Sequence, residues 1–490
     1  MRIAIVGAGI AGLTAAHELV KAGHMVTVYE AAALAGGLAS GFRDEGWEWP
    51  LERFYHHIFT TDKAIRALAA EIGYGDKLFF RRRVTAQWWQ DRGYPLTGAR
   101  LTLGLPKGLG GRTLPAPDAV SSMWSVLRFP ALPAADRVRL TAVLAYLKYG
   151  VRDWRPLERV TAAAWTRRYA GETLYRDFFQ PLLEGKFGSY SEDVNMAWLW
   201  ARFKARSIAL GYFSGGFQGF VNALLAHVRG AGVRVRLSTP ITGLDPLPDG
   251  GWRVVADAGE RAVGSDGAEE VDAVIVTGSP GLLNRLAPGL PPGYLGQLRG
   301  LRSMGAVVLT IALRQPLTGG LYWVNLPKDQ FPFLALVEHT TFIEPERYGG
   351  DHIIYCGDYL DPAHDYFHLT KDELLARFLP ALARVNPAFD PSWVRASWLH
   401  REPYAQPIVP VDHARSVPAL ATPLPGLFWA SMSQVYPWDR GTNFAVELGR
   451  RVAGELMACA GPAGTTRRPA GTTRRPAGQL VHHDAIVTRR

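Results

Sequence analysis

At 490 residues the chain is longer than one compact hydrophobic core serves, which predicts two domains. A composition of 48% hydrophobic and 20% charged residues excludes a disordered or fibrous protein, and the lack of any run of 18 apolar residues excludes a membrane-spanning helix. The net charge of +10 points to nucleic acid only until it is located: six arginines and one aspartate from Gly464 onward put half of it in the last residues, so no nucleic-acid partner is expected.

RIAIV (2–6) is a short β-branched run of the kind that forms a buried parallel strand. VGAGIAG follows, then LTAAHELVKAG with Leu13, Ala16, Leu19 and Val20 at helical spacing up to Gly23, and MVTVYE as a second strand ending in Glu30. Strand, glycine turn, helix, strand and acid together make a dinucleotide-binding βαβ unit. Gly7 permits the tight turn, Gly9 lets backbone N–H groups, those of Ile10 and Ala11 among them, approach a pyrophosphate, and Gly12 lets the helix sit against the strand. Glu30 stands 18 residues after Gly12, placed to accept hydrogen bonds from ribose hydroxyls. Residues 1–20 have the charge and hydropathy of an export leader, but cleavage there would delete the strand and the turn. With Cys356 and Cys459 outside any CxxC pattern, a reducing, cytoplasmic setting and no metal are expected.

ALAGGLASGF places Gly36, Gly37 and Leu38 just beyond the acid, where a second backbone approach to the pyrophosphate and ribityl chain forms. LERFYHHIFTTD comes about fifteen residues later. PKGLGG (106–111) has no strand before it and reads as a loop. ADRVRLTAVLAYLKYGVRDW and MAWLWARFKAR read as helices, GAVVLTIAL and HIIYCGDYL as strands, and KDELLARFLPALARV as a helix. The tryptophans of QWWQDRGY and MAWLWAR read as core or pocket wall rather than base-stacking platforms. GTTRRPA, repeated at 464–470 and 471–477, buries too little apolar area to offset its ordering entropy, so residues 461–490 read as a disordered tail.

With the glycine pair after the acid, the chain resembles the family of FAD-dependent amine oxidases, protoporphyrinogen oxidases and phytoene desaturase-like enzymes. The resemblance continues in three stretches: 212–244, where backbone near Ile241 would meet the adenine, 271–280 (VDAVIVTGSP), and 425–456, similar to the family's closing strand and helix. It implies an α/β fold in which a Rossmann-type, GR2-like FAD-binding domain is assembled from residues 1–90, 207–285 and 415–460. A substrate domain is then built from a mainly helical insertion (91–206) and an α+β insertion (286–414). The family's Gly-Asp, whose acid binds a ribityl hydroxyl, is replaced here by Ala430, Ser431 and Met432, so Ser431, Ser433 or Asn443 is expected to substitute. Gly441, Thr442 and Asn443 would present a helix N-terminus to the flavin.

Site candidates follow from position. His56 and His57 are adjacent, so on extended backbone one faces the cavity and one the core. Lys186 is suited to an anionic substrate or to orienting a water. Arg401, Tyr404 and Gln406 form an expected cavity rim, and Tyr436, Trp438, Asp439 and Arg440 precede the last helix over the ring. The expected activity is removal of a hydride equivalent from a C–H bond of an amine, porphyrinogen or polyene-like small molecule, with oxygen or a quinone-like acceptor. One rival resembles UDP-galactopyranose mutase, a non-redox flavin enzyme, with Arg53, Arg401 and Tyr404 gripping a diphosphate. Another is a flavin-bound protein without turnover. Peripheral membrane contact through WSVLRFPALP is an open alternative for an apolar substrate.

Overall fold

A computed structural model describes residues 1–97, 102–104, 113–115, 118–257 and 268–460. The PKGLGG loop and the basic tail lie outside the described residues.

β1 (Arg2–Val6), α1 (Ile10–Lys21) and β2 (Met25–Tyr29) occupy the centre of a five-stranded parallel sheet. Its order is Arg234–Arg236, β2, β1, Ala273–Val276 and Leu427–Trp429, so three separate stretches of chain supply it. Alternation along β1 explains why its run is continuously apolar. Ile3 and Ile5 face a core shared with α1, the Gly216–Gly230 helix and the closing helix Thr442–Ala460, whereas Ala4 and Val6 face a second core built with Trp252, Leu283 and Leu298. The closing helix lies so near α1 that a Cβ on Gly449 would come within 2.4 Å of the Ala11 carbonyl oxygen. Arg450 on that helix pairs with Glu18 at 3.0 Å and Glu71 at 2.5 Å, tying together α1, the Lys63–Glu71 helix and the closing helix.

A seven-stranded sheet forms the other half, in the order Val394–Pro407, Ser303–Leu313, His352–Leu360, Ala335–Glu338, Trp323–Asn325, Thr85–Trp89 and Arg92–Thr97. All its pairs are antiparallel except Trp323–Asn325 with Thr85–Trp89. The antiparallel hairpin of Thr85–Trp89 and Arg92–Thr97 straddles position 90, so the sheet draws strands from both sides of it. Along Ser303–Leu313, Val307, Leu309, Ile311 and Leu313 pack under the Lys371–Val385 helix, which starts with a Thr370–Glu373 capping box. Ala306 and Val308 point to the opposite face. There the helical insertion, with Gln180–Phe187 and Met196–Ala205, builds a third core around Phe187 and Trp198 that reaches Ala306, Tyr359 and Ala405. No helix among the described residues is long and apolar enough to cross a membrane.

Candidate functional site

The glycines of the first turn differ in what they permit. A Cβ on Gly12 would lie 2.0 Å from the Gly7 carbonyl oxygen, so this glycine is required for α1 to pack on the turn. Gly7 itself takes a φ of +107° and leaves no room for a side chain beside Thr277. Gly9 is unlike both: the nearest atom to a Cβ there is Gly37 Cα at 3.9 Å, and no side chain caps the N-terminus of α1 that it begins. Gly36 bridges to Gly9, and its N–H donates to the Ala8 carbonyl at 2.9 Å. Two glycine segments thus form an open backbone strip at the positive end of a helix, the setting that holds a pyrophosphate.

Glu30 lies at the end of β2, where its carboxylate accepts the N–H of Ala8 at 2.8 Å and of Ala32 at 2.9 Å. A carboxylate has about four acceptor positions, so two remain for ribose hydroxyls. The Thr239 N–H donates to the Glu30 carbonyl at 2.8 Å, which brings Ile241, two residues on, to the same end.

At the other end the expected substitutes for the ribityl acid are already engaged. Asn443 Oδ1 accepts the N–H groups of Ala64 and Ile65 at 2.8 and 3.2 Å, capping the Lys63–Glu71 helix, while its amide donates to Glu447. Ser431 and Ser433 are buried, and each hydroxyl lies 2.7 Å from the Tyr404 hydroxyl. Tyr404 is therefore a clasp on this segment, not a rim residue. Met432, between the two serines, keeps partial exposure.

Leu38 leads from the glycine strip into a pocket lined also by Phe54, Tyr55, His56, Ala306, Val308, Asp358, Tyr359, Ala405 and Arg440. Through Arg440 and Tyr359 it borders a basic cluster. Arg440 donates to the Tyr359 hydroxyl, and its guanidinium lies 5.0 Å from that ring centre. Lys186 Nζ stands 4.0 Å from the same ring, and Arg202 reaches Asp439 at 3.5 Å. Burial, then Arg202 and Arg440, push the Lys186 ammonium well below its ordinary value. Arg206, just past the end of the Met196–Ala205 helix, is exposed and adds a fourth cation to the group. Burial alone would raise Asp439, but Lys186, Arg440, Arg202 and Arg206 outweigh it and hold that carboxyl at about 2.

The histidine pair sits on extended loop rather than a strand. His56 lines the cavity with Nδ1 2.5 Å from the Phe54 carbonyl, and burial lowers it to about 4. His57 turns to the Phe59 and Trp323 rings, leaves Nδ1 without a hydrogen-bond partner, and is lowered to about 3 by burial and then Arg206. In both, the shift favours the neutral ring. Arg401 corrects the expectation of a cavity rim: its guanidinium donates to the carbonyls of Tyr366 and Leu369. The register explains this, because Arg401 pairs with Val307, whose side chain faces away from the cavity. With Arg401 and Tyr404 both committed, the diphosphate grip of Arg53, Arg401 and Tyr404 does not assemble. Tyr436 packs between Trp154 and His413 with its hydroxyl 3.0 Å from Asn195, outside the basic cluster, and Gln406 hydrogen-bonds Asp439 at 3.3 Å.

Sequence reasoning missed Arg202, Arg206, Tyr359 and His400. His400 pairs with Val308 and so shares the cavity's side of the sheet, against Phe42 and Phe54, with burial and then Arg53 lowering it to about 4. A signal for the first two was present: arginines four apart in the WLWARFKAR run, which is apolar apart from them and Lys204.

Comparison with known proteins agrees with the geometry. A Synechococcus elongatus protein provisionally described as a zeta-carotene desaturase is 25% identical over 299 residues, 59% of this chain and 60% of that relative's length. An L-amino-acid oxidase of Bothrops atrox is 52% identical over 48 residues, 10% of each chain. The chain thus spans less than two-thirds of these relatives. Among solved structures, a protein of Exiguobacterium sp. 255-15 provisionally described as a protoporphyrinogen oxidase has a TM-score of 0.70 at 17% identity, covering 93% of this chain and 98% of its own. Putrescine oxidase bound to putrescine has 0.65 at 17%, covering 94% and 99%, and cyclohexylamine oxidase of Brevibacterium oxydans 0.64 at 16%, covering 93% and 98%. These likenesses show a shared mixed α/β fold. The sequence model of flavin-containing amine oxidoreductases matches residues 10–457, and the chain belongs to that family.

Proposed function

We propose that this enzyme removes a hydride equivalent from a C–H bond of a small molecule held in the cavity between Leu38 and the seven-stranded sheet, with oxygen or a quinone-like acceptor completing turnover. In this reading the parallel sheet is the Rossmann-type, GR2-like half, holding FAD along the turn of Gly7, Gly9 and Gly12, Glu30, and the glycine pair. The two insertions form the substrate domain. The observation that carries the reading is that Leu38, next to the glycine pair, shares one cavity with Ala306, Val308 and Tyr359 of the sheet.

When bound, FAD supplies the electron-pair acceptor. The chain's own part is placement and exclusion of water. Phe54, Tyr55, Ala306 and Val308 offer apolar walls, while neutral His56, held by the Phe54 carbonyl, presents a ring without charge. Such a transfer needs no side-chain acid or base, which suits a cavity whose one lining histidine, His56, is a poor base. The substrate classes in view are an amine, a porphyrinogen or a polyene. For an apolar substrate, exposed Trp124 (42%) and Tyr149 (62%) on the helical insertion support peripheral membrane contact.

The test is the absorption spectrum of the purified protein, followed anaerobically with a panel of amines, porphyrinogens and polyenes. Bleaching by one class and recovery with oxygen or a quinone is the expected result. Trapping of a sugar adduct on chemically reduced protein, with no bleaching by the panel, overturns the reading in favour of the mutase-like rival. A yellow protein inert to every partner overturns it in favour of a protein without turnover.

A further inference from the structure

We infer that the basic cluster bordering the cavity is an anion subsite, taking a carboxylate or phosphate group of the substrate while its apolar body lies against Phe54, Tyr55 and Val308. The inference rests on the proposed reading of this cavity as the substrate's place beside FAD, and it names the substrate's charge.

Three separate elements bring cations to one place. Lys186 comes from the Gln180–Phe187 helix, Arg202 and Arg206 from the Met196–Ala205 helix and the residue after it, and Arg440 from the approach to the closing helix. They surround one carboxylate, and it is already occupied: Asp439 accepts Trp198 Nε1 and Gln406 Nε2 at 3.3 Å each, the Arg440 backbone N–H at 3.1 Å, and Arg202 at 3.5 Å. Among the described residues, neither the Lys186 ammonium nor the Arg206 guanidinium has a hydrogen-bond or carboxylate partner, and each meets only an aromatic ring, Tyr359 at 4.0 Å and Phe59 at 5.9 Å. Arg440 Nε is buried and without an acceptor.

Arg206 is exposed and Lys186 and Arg440 are half-buried, so water reaches part of the cluster. The four cations nonetheless repel one another around a single engaged carboxylate, and the buried Arg440 Nε has given up water without gaining an acceptor. An oxygen anion beside Lys186, Arg206 and Arg440 supplies the missing acceptor to all three and restores the lysine's charge. The cofactor's pyrophosphate does not fill this role, because its cradle is the glycine strip at Gly9 and Gly36. Even if Arg440 serves the flavin's polar edge, Lys186 and Arg206 still lack a partner. A protonated amine placed here meets like charge, so the cluster selects against simple amines.

The test titrates the purified holoprotein with benzoate, phenyl phosphate, benzamide and benzylamine, read by flavin absorbance and by calorimetry. Benzoate or phenyl phosphate is expected to bind at least tenfold more tightly than benzamide or benzylamine, and the tighter of the two identifies the anionic group. Lys186→Met and Arg206→Met are each expected to raise that anion's Kd tenfold or more with flavin content per chain unchanged. Equal binding of benzamide and benzoate by the wild-type protein, or wild-type benzoate affinity in both variants, overturns the inference. A chain without flavin that still prefers benzoate in calorimetry refutes the cofactor side alone, and a yellow chain without preference refutes the anion subsite alone.

Discussion

Glu52 offers a quantitative check on how the two halves are joined. It is 1% exposed, accepts the Phe217 N–H at 2.7 Å at the start of the Gly216–Gly230 helix, and accepts the Tyr212 hydroxyl at 2.6 Å. Its backbone carbonyl also accepts the Tyr355 hydroxyl of the seven-stranded sheet at 2.9 Å. Burial raises the carboxyl from 4.5 to about 7, against the opposing effect of the Tyr212 and Phe217 hydrogen bonds. The folded protein therefore holds this proton more tightly than the unfolded chain does. The resulting stability is fully present below pH 4.5 and is lost as pH rises through about 7. At about 1.4 kcal/mol per unit, the difference amounts to roughly 3 kcal/mol. Glu52→Gln keeps the shape and the Phe217 hydrogen bond but removes the titration. Thermal unfolding midpoints of both proteins, measured with excess FAD at constant ionic strength from pH 4.5 to 8, should show the variant gaining on the wild type as pH rises. Asp62 and Asp358, also raised by burial to about 6, cancel in that comparison. Parallel pH profiles would refute the assignment of a shared buried proton to Glu52.

Gly12→Ala forces a methyl to within 2.0 Å of the Gly7 carbonyl, so both the apoprotein melting temperature and the flavin content should fall. Gly9→Ala meets nothing closer than 3.9 Å and has an ordinary φ of −71°, so it should lower flavin content while leaving apoprotein melting unchanged. Glu30→Gln should weaken FAD binding by about tenfold or more, the worth of a charged hydrogen-bond acceptor, measured by equilibrium dialysis. Asn443→Ala removes the cap on the Lys63–Glu71 helix and should cost about 1 kcal/mol, read as a lower unfolding midpoint at unchanged FAD affinity.

The legible and the illegible parts of this site differ in how far apart their residues stand in the chain. The cofactor turn could be read because its constraints are local: Gly12 must lack a Cβ on account of Gly7, five residues earlier, and Glu30 meets the N–H of Ala32, two residues later. Strands such as His352–Leu360 and helices such as Lys371–Val385 announce themselves by periodicity and by a Thr–Glu cap. The direction of a side chain across a sheet does not announce itself. Arg401 and His400 are neighbours, yet register against Val307 and Val308 sends one to backbone carbonyls on the far face and the other to the cavity side. The basic cluster is harder still, since Lys186, Arg202, Arg206, Asp439 and Arg440 span more than half the chain and share no spacing. What marks them is a juxtaposition visible only once folded: four cations gathered around a single carboxylate that is already hydrogen-bonded. A local reading therefore reaches the glycine turn and its acid, whose constraints lie within a short stretch of chain, and misses the basic cluster, whose side chains meet only in three dimensions.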